Sequence, residues 1–159
     1  MTDFFASFGG IIIFLHVVSA IIWVGGMIAI RFAVHYSIQE IEDPKIKLGR
    51  TLEFLRRFFN MVIPSILILL VTALMMSIGL NLKESPLYGL VHLKEAIWTV
   101  MTVIFTIIYL KRNKAQRFYD EGDFKSAKEK LIPLAAWMIP TNIVLGLVAL
   151  YLGVTLRGL

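Results

Sequence analysis

The sequence contains no cysteine, which excludes disulfides, thiolate catalysis and cysteine-based zinc or iron–sulfur sites. Charge is also scarce, because Asp, Glu, Lys and Arg make up 17% of the 159 residues, against about 25% in typical soluble domains. The sequence has no phosphate-binding glycine loop, nucleophile elbow, zinc-protease helix or nucleic-acid motif. These absences argue against the common classes of soluble enzyme.

Apolar residues, in contrast, are abundant. They account for 58% of the chain, and the mean hydropathy is +0.78. A chain of this length has too little interior to hide so much apolar surface from water. We therefore expect lipid to cover much of it.

Four long apolar stretches cover residues 8–34, 58–80, 90–110 and 132–156. Each has the ~20 residues that a helix needs to cross the hydrocarbon core, and none alternates with the period of two that marks a β-barrel strand. The sequence predicts an all-α, four-helix transmembrane bundle forming a single integral membrane domain over residues 1–159. The start lacks a basic n-region and a cleavage site, so we expect the first span to be retained.

Positive charge is distributed unevenly between the predicted loops. Thirteen of the sixteen Lys and Arg residues fall at the exit of the first span, in the first loop or in the third loop; the other three are Lys83, Lys94 and Arg157. This bias predicts that both termini are non-cytoplasmic, in a multi-pass protein of the bacterial inner membrane. It also accounts for the net charge of +5 without nucleic acid, and makes anionic lipids the expected partners.

His16 is the strongest candidate for function inside a span, because ionisable groups are costly in hydrocarbon. Ser19, Trp23 and Gly26 follow on the same helix face, as an inward-facing helix requires. Two interpretations remain open. His16 either hydrogen-bonds a neighbouring helix or acts as a metal ligand or proton-transfer group.

The third span offers two partners for His16. His92 and Lys94 are two residues apart, hence about 200° around the helix, so only one of them can face the bundle centre. Lys94 shares its face with Trp98 and Met101. A neutral histidine is the better iron ligand, whereas depth in the membrane favours Lys94. Alternatively, His92 lies at the interface and Lys94 snorkels outward.

Other polar residues have weaker claims. Asn142 follows Pro140, which frees a backbone carbonyl that Asn or Thr side chains commonly satisfy; Pro64 has the same effect on the second span. Arg31 and His35 are expected to be interfacial anchors. His35 lies ~28 Å along the helix from His16, so the two cannot share one metal. Residues 81–89, with Pro86, form a short predicted link.

Several short motifs resemble one known family. The run Phe14–Gly26, the run Leu55–Pro64, His92-Leu-Lys94 and Asn142 are similar to signatures of the four-helix membrane family that includes HemJ-type protoporphyrinogen oxidases and CopD-like bacterial proteins. The resemblance covers nearly the whole chain. It implies haem b within the bundle, with His16 as the matching axial ligand and Lys94 as the matching third-helix residue. Trp23 and Trp98 would then pack the porphyrin.

Two positions depart from the oxidase pattern and make the chain more similar to the CopD-like branch. The exit of the first helix is Arg31-Phe-Ala-Val-His35, and Ile143 follows Asn142 where the oxidases tend to carry an acidic residue. The leading hypothesis is a haem-b-binding oxidoreductase or electron-transfer protein, with a porphyrinogen as one candidate substrate. Its candidate partners are a quinone, a respiratory complex and a second copy of the chain. The alternatives are copper transport or handling, through soft methionine ligands, and a non-catalytic subunit of a membrane complex.

Overall fold

The computed structural model describes residues 2–81 and 88–156, and this part of the chain is helical, without strands. Four helices are long and apolar enough to cross a membrane: Ser7–Gln39, Pro44–Gly79, Tyr88–Asp120 and Phe124–Thr155. We call them the first to fourth helix; the first extends back to Thr2. The predicted all-α class is confirmed for the described residues, and four helices have the length and apolar composition that the predicted spans require. Most of the predicted 81–89 link lies outside the described residues, as do Lys83 and Arg157.

The outer surface of the bundle is apolar, with large hydrophobic side chains exposed on every helix. Examples are Phe14, Leu67, Val103 and Val144. A soluble monomer does not present such a continuous apolar surface, whereas a bilayer solvates it. The backbone polar groups are satisfied inside each helix, as a membrane requires.

The helices are longer than the predicted spans because they continue beyond the apolar stretches into tight turns. Asp43 caps the second helix: its side chain accepts hydrogen bonds from the backbone N–H groups of Lys45 and Ile46, at 2.8 and 3.0 Å, and Pro44 occupies the first turn. Asp123 caps the fourth helix by accepting from the Ser126 N–H at 3.0 Å. These two connections are therefore turns between long helices.

Helices that are neighbours in sequence pack side by side, which gives an up-and-down bundle in chain order. The first helix packs most extensively on the second, and the third packs on the second and fourth. The fourth helix contacts the first mainly through the segments Ile21–Gly25 and Gly26–Ala29. Aromatic rings fill the centre, where Phe105 meets Trp23 and Phe59 edge-on, with ring centroids 6.2 and 5.2 Å apart.

Three short segments of the helices widen into π-turns: Ile21–Gly25, Ile30–Val34 and Leu134–Met138. The third directly follows Pro133 and ends two residues before Pro140, whose missing N–H interrupts the regular hydrogen-bond ladder. Pro64, by contrast, lies inside an uninterrupted α-helix. The sequence predicted perturbation at both prolines; the structure shows a change of helix type before Pro140 alone.

Arg112 differs from its sequence interpretation as a basic residue of the third loop. It lies within the third helix and is 5% exposed. Its Nη2 and Nε donate to the Leu52 carbonyl at 2.8 and 3.2 Å, and Nη2 also donates to Gln116 Oε1 at 2.8 Å. The guanidinium therefore ties the third helix to the second. The sequence shows that Arg112 is charged, but only the tertiary structure shows that it is buried.

Candidate functional site

A cavity of about 610 Å³ lies in the half of the bundle that contains His16, and all four helices contribute to its wall. Its wall is mostly aliphatic and aromatic. The side chains on it that could bind a ligand or a metal include His16, Trp23, Met76, Lys94, Trp98 and Met101. A largely apolar pocket of this size with a few convergent polar groups is typical of a small-molecule or cofactor site.

The imidazole of His16 is oriented by the second helix. Its Nδ1 lies 2.8 Å from Thr72 Oγ1, and that hydroxyl lies 2.6 Å from the Ile68 carbonyl. The carbonyl can only accept, so it takes the hydroxyl hydrogen, and Thr72 Oγ1 in turn accepts from His16 Nδ1–H. The assigned tautomer leaves the lone pair on Nε2 free to bind a metal or a proton.

Lys94 lies on the same cavity wall, partly buried against the fourth helix. Its Nζ is 2.9 Å from the position that a Cβ on Gly153 would occupy, so the absence of a side chain at Gly153 makes room for the amine. Among the side chains that the structure describes, which do not include Asp3, no acidic group pairs with Lys94 and no acceptor takes its hydrogen bonds. The site therefore contains a cationic group without a counter-charge.

His92 lies elsewhere. It is exposed, 3.1 Å from Glu95 Oε2 through Nδ1, and its ring meets Tyr88 with centroids 4.4 Å apart. It is not part of the cavity wall. Of the two third-helix candidates, the structure brings Lys94 to the cavity together with His16 and leaves His92 outside.

Trp23 and Trp98 both line the cavity, and the indole Nε1 of each is buried without a hydrogen-bond acceptor in the described part of the chain. Trp23 is 1% exposed. Buried polar groups normally have partners, and each exception calls for an explanation. The two Nε1 atoms are themselves shielded from the cavity, so it is the rings that border it.

Asn142 is fully buried but outside the cavity wall. Its Nδ2 donates to the Met101 carbonyl at 3.2 Å, and its Oδ1 has no donor among the described residues. A carbonyl accepts only, so this contact fixes the amide orientation. Asn142 thus reaches across to the third helix, instead of satisfying a carbonyl freed by Pro140, and supports the backbone at Met101.

Arg31 and His35 take no part in this cavity. Both are partly buried, and the His35 ring lies edge-on to Tyr36 with centroids 5.8 Å apart. The described residues contain no group of three or more His, Cys, Asp or Glu side chains that could hold a metal ion by themselves. His16 is the one histidine on the described part of the cavity wall.

Sequence reasoning did not assign the two cavity methionines to the site. Met101 shares a helix face with Lys94 and Trp98, which was a usable signal, but the sequence does not show that Met76 of the second helix faces them. Both thioethers border the cavity that His16 also lines. They add soft, polarizable ligands to the wall.

No protein-family model, curated protein or solved structure matches this chain. The fold and cavity define a class: a protein of four membrane-spanning-type helices with a ligand-sized cavity in one half of its bundle. The resemblance to HemJ-type and CopD-like proteins rests on the motif residues themselves.

Proposed function

We propose that the chain is a haem-b-binding integral membrane protein of oxidoreductase or electron-transfer type, with the porphyrin in the cavity. The observation that carries this proposal is the arrangement of His16. Its Nδ1–H is held by Thr72, its Nε2 is available, and it lines a cavity of about 610 Å³. Histidine ligands to metals usually donate their other ring N–H to a protein acceptor, which fixes the ring orientation.

The residues present fit a haem in two further respects. The wall is largely apolar, as a porphyrin ring requires, and Trp23 and Trp98 border it. Lys94 supplies a positive group at the same cavity. It suits either a carboxylate of the porphyrin or, as a neutral amine, the iron.

Bound haem would supply one-electron redox chemistry, and the chain would supply its binding and environment. His16 would hold the iron through Nε2, and Thr72 would keep the ring in that tautomer. The helices would exclude water from the site. A porphyrinogen is a candidate substrate, and a quinone or a respiratory partner is a candidate electron acceptor.

The proposed orientation follows from the distribution of positive charge. With both termini non-cytoplasmic in a bacterial inner membrane, the cavity lies in the outer half of the bundle. The buried Arg112 does not reverse the bias, because the other basic residues of the first and third loops remain on the opposite side. Cysteine accessibility tests this orientation directly, because the chain has no native cysteine.

A visible spectrum tests the haem proposal. Protein purified after expression with a haem supply should show a Soret band, and His16→Ala should abolish or strongly shift it. His35→Ala and His92→Ala are matched controls, because both histidines lie outside the cavity wall, and they should leave the band unchanged. A haem-free wild-type protein, or equal loss in all three variants, would contradict the proposal.

Copper(I) handling is a second candidate, favoured by one observation: Met76 and Met101 border the same cavity as His16. One imidazole and two thioethers form a soft ligand set suited to Cu(I). Competition with a chromophoric Cu(I) chelator distinguishes the candidates. Copper binding that is lost in Met76→Leu and Met101→Leu, by protein with no Soret band, would favour copper over haem.

A further inference from the structure

The cavity is open at the side of the bundle, between the first and fourth helices. The segment Thr2–Ala20 packs chiefly on the second helix. The fourth helix meets the first mainly beyond that segment, at Ile21–Ala29. The two helices therefore separate along the half of the bundle that holds His16.

The cavity wall and the lipid-facing surface share residues at this separation. Val17 on the first helix, and Leu150, Tyr151 and Val154 on the fourth, line the cavity and are also exposed; Tyr151 is 73% exposed. Leu80 and Glu95, at the end of the bundle, do so as well. Because the first and fourth helices also separate here, the exposed lining residues on these two helices mark a mouth of the cavity at the side of the bundle. Since these positions are apolar or aromatic within membrane-spanning-type helices, the opening faces hydrocarbon.

The polar lining of the cavity contains one cationic group, the amine of Lys94. It has no acceptor and no ion-pair partner among the side chains that the structure describes. Glu95 carries the one carboxylate on the described part of the wall, and it pairs with His92. An uncompensated buried charge is costly, so the complementary ligand group is an anionic acceptor.

We infer that the cavity takes up an apolar, carboxylate-bearing molecule directly from the bilayer, through the gap beside Val17 and Tyr151, and places its carboxylate at Lys94. This inference deepens the proposed function by naming the head group and the route, but it does not require iron. It therefore applies to a haem carboxylate and to an iron-free lipid-soluble acid.

A brominated long-chain fatty acid tests the head group, with its methyl ester as the matched ligand. Bromine quenches tryptophan fluorescence on contact. The reporter is a chain with Trp98→Phe and Trp137→Phe, in which the remaining Trp23 is 1% exposed and borders the cavity. A chain that retains Trp137 alone is the control, because Trp137 is 56% exposed and meets lipid anywhere.

In vesicles, the acid should quench Trp23 saturably and the ester should do so much more weakly, while Trp137 responds equally to both. Lys94→Met should lower the apparent affinity for the acid roughly tenfold, the loss expected for one charged hydrogen bond. Equal quenching of Trp23 by acid and ester in the reporter that retains Lys94, or no quenching of Trp23, would overturn the head-group assignment.

Chemical modification tests the route. Val17→Cys provides a single thiol in a chain without cysteine, and a benzyl thiosulfonate then adds bulk in the gap of a protein already folded. Phe14→Cys is the control, because Phe14 is one turn away and 62% exposed but lies outside the cavity wall. Benzylation at Val17→Cys should slow the quenching of Trp23 severalfold, and at Phe14→Cys it should not. Equal rates would overturn the lateral route.

The two proposals fail separately. A missing Soret band with selective quenching by the acid would reject haem and retain the acid site. A Soret band dependent on His16, with no preference for acid over ester, would retain haem and reject the role of Lys94. Persistent acid preference in Lys94→Met would likewise reject that role.

Discussion

Gly26→Ala should destabilise the bundle, although alanine is the better helix former. Gly26 follows the first π-turn, and a Cβ added there would collide with Phe58 Cε2 and lie 3.1 Å from Phe58 Cζ. Phe58 is itself buried and packs at a tilt on Phe59, with ring centroids 6.1 Å apart. The ring therefore has little room to retreat, and the first and second helices must move apart.

The magnitude follows from two opposing effects. Overpacking of a well-packed site costs about 1–3 kcal/mol, and replacing a helical glycine by alanine recovers at most about 1 kcal/mol. With the full recovery, we expect a net loss of up to about 2 kcal/mol for Gly26→Ala. The adjacent Gly25→Ala is the matched control, because its nearest neighbour would be Ile21 Cγ2 at an ordinary 3.8 Å, so it should be neutral or stabilising.

Thermal unfolding in detergent micelles, followed by far-ultraviolet circular dichroism, measures both variants. A smaller ring should relieve the collision, so Gly26→Ala combined with Phe58→Leu should lose less stability than the sum of the two single changes. The packing argument would be refuted if Gly26→Ala were as stable as Gly25→Ala, or if the double variant showed simple additivity.

Three further predictions concern single side chains. Thr72→Val should weaken haem binding about 10- to 100-fold, the usual effect of losing a partner of a ligating histidine. Thr72→Ser should retain most of the affinity. A haem titration that finds the two variants alike would contradict the role of the hydroxyl. Arg112→Lys loses the paired contact with the Leu52 carbonyl and should lower stability by about 1–3 kcal/mol. Arg57→Lys, in an exposed ion pair, should change stability little. Equal melting temperatures of the two variants would contradict a stabilising role for the buried contact. The hydrogen bonds from Ser126 hold the pKa of Asp123 below its usual value. The cap therefore stabilises the fold above the pKa of Asp123 in the unfolded chain, and this stabilisation is lost as the pH falls through the folded pKa. Asp123→Ser should remove that part of the acid sensitivity of unfolding, and an unchanged dependence of stability on pH would show that the cap contributes nothing.

The local features of the fold were predictable because they depend on neighbours in sequence. A run of about 20 apolar residues must form a helix in lipid wherever it occurs. This rule needs no knowledge of the other helices, so the four spans were predictable from the sequence.

The candidate site was only partly predictable, because it depends on how each helix is rotated about its axis. Spacing showed that Lys94 and His92 could not both face inward, but not which one did. Contact with Gly153 places Lys94 on the cavity wall, while Glu95 and Tyr88 hold His92 outside. Composition carries no information about such rotations.

By itself, the sequence determined four membrane-spanning-type helices with a histidine inside the first. Hydropathy and the free-energy cost of a polar group in hydrocarbon are properties of single segments, so they need no tertiary structure. Tertiary structure alone decided that Thr72 orients His16, that Met76 joins the cavity and that Arg112 is buried. Each of those outcomes requires two helices to meet at one depth and one rotation, and contact across 56 or 60 residues of sequence leaves no local signal.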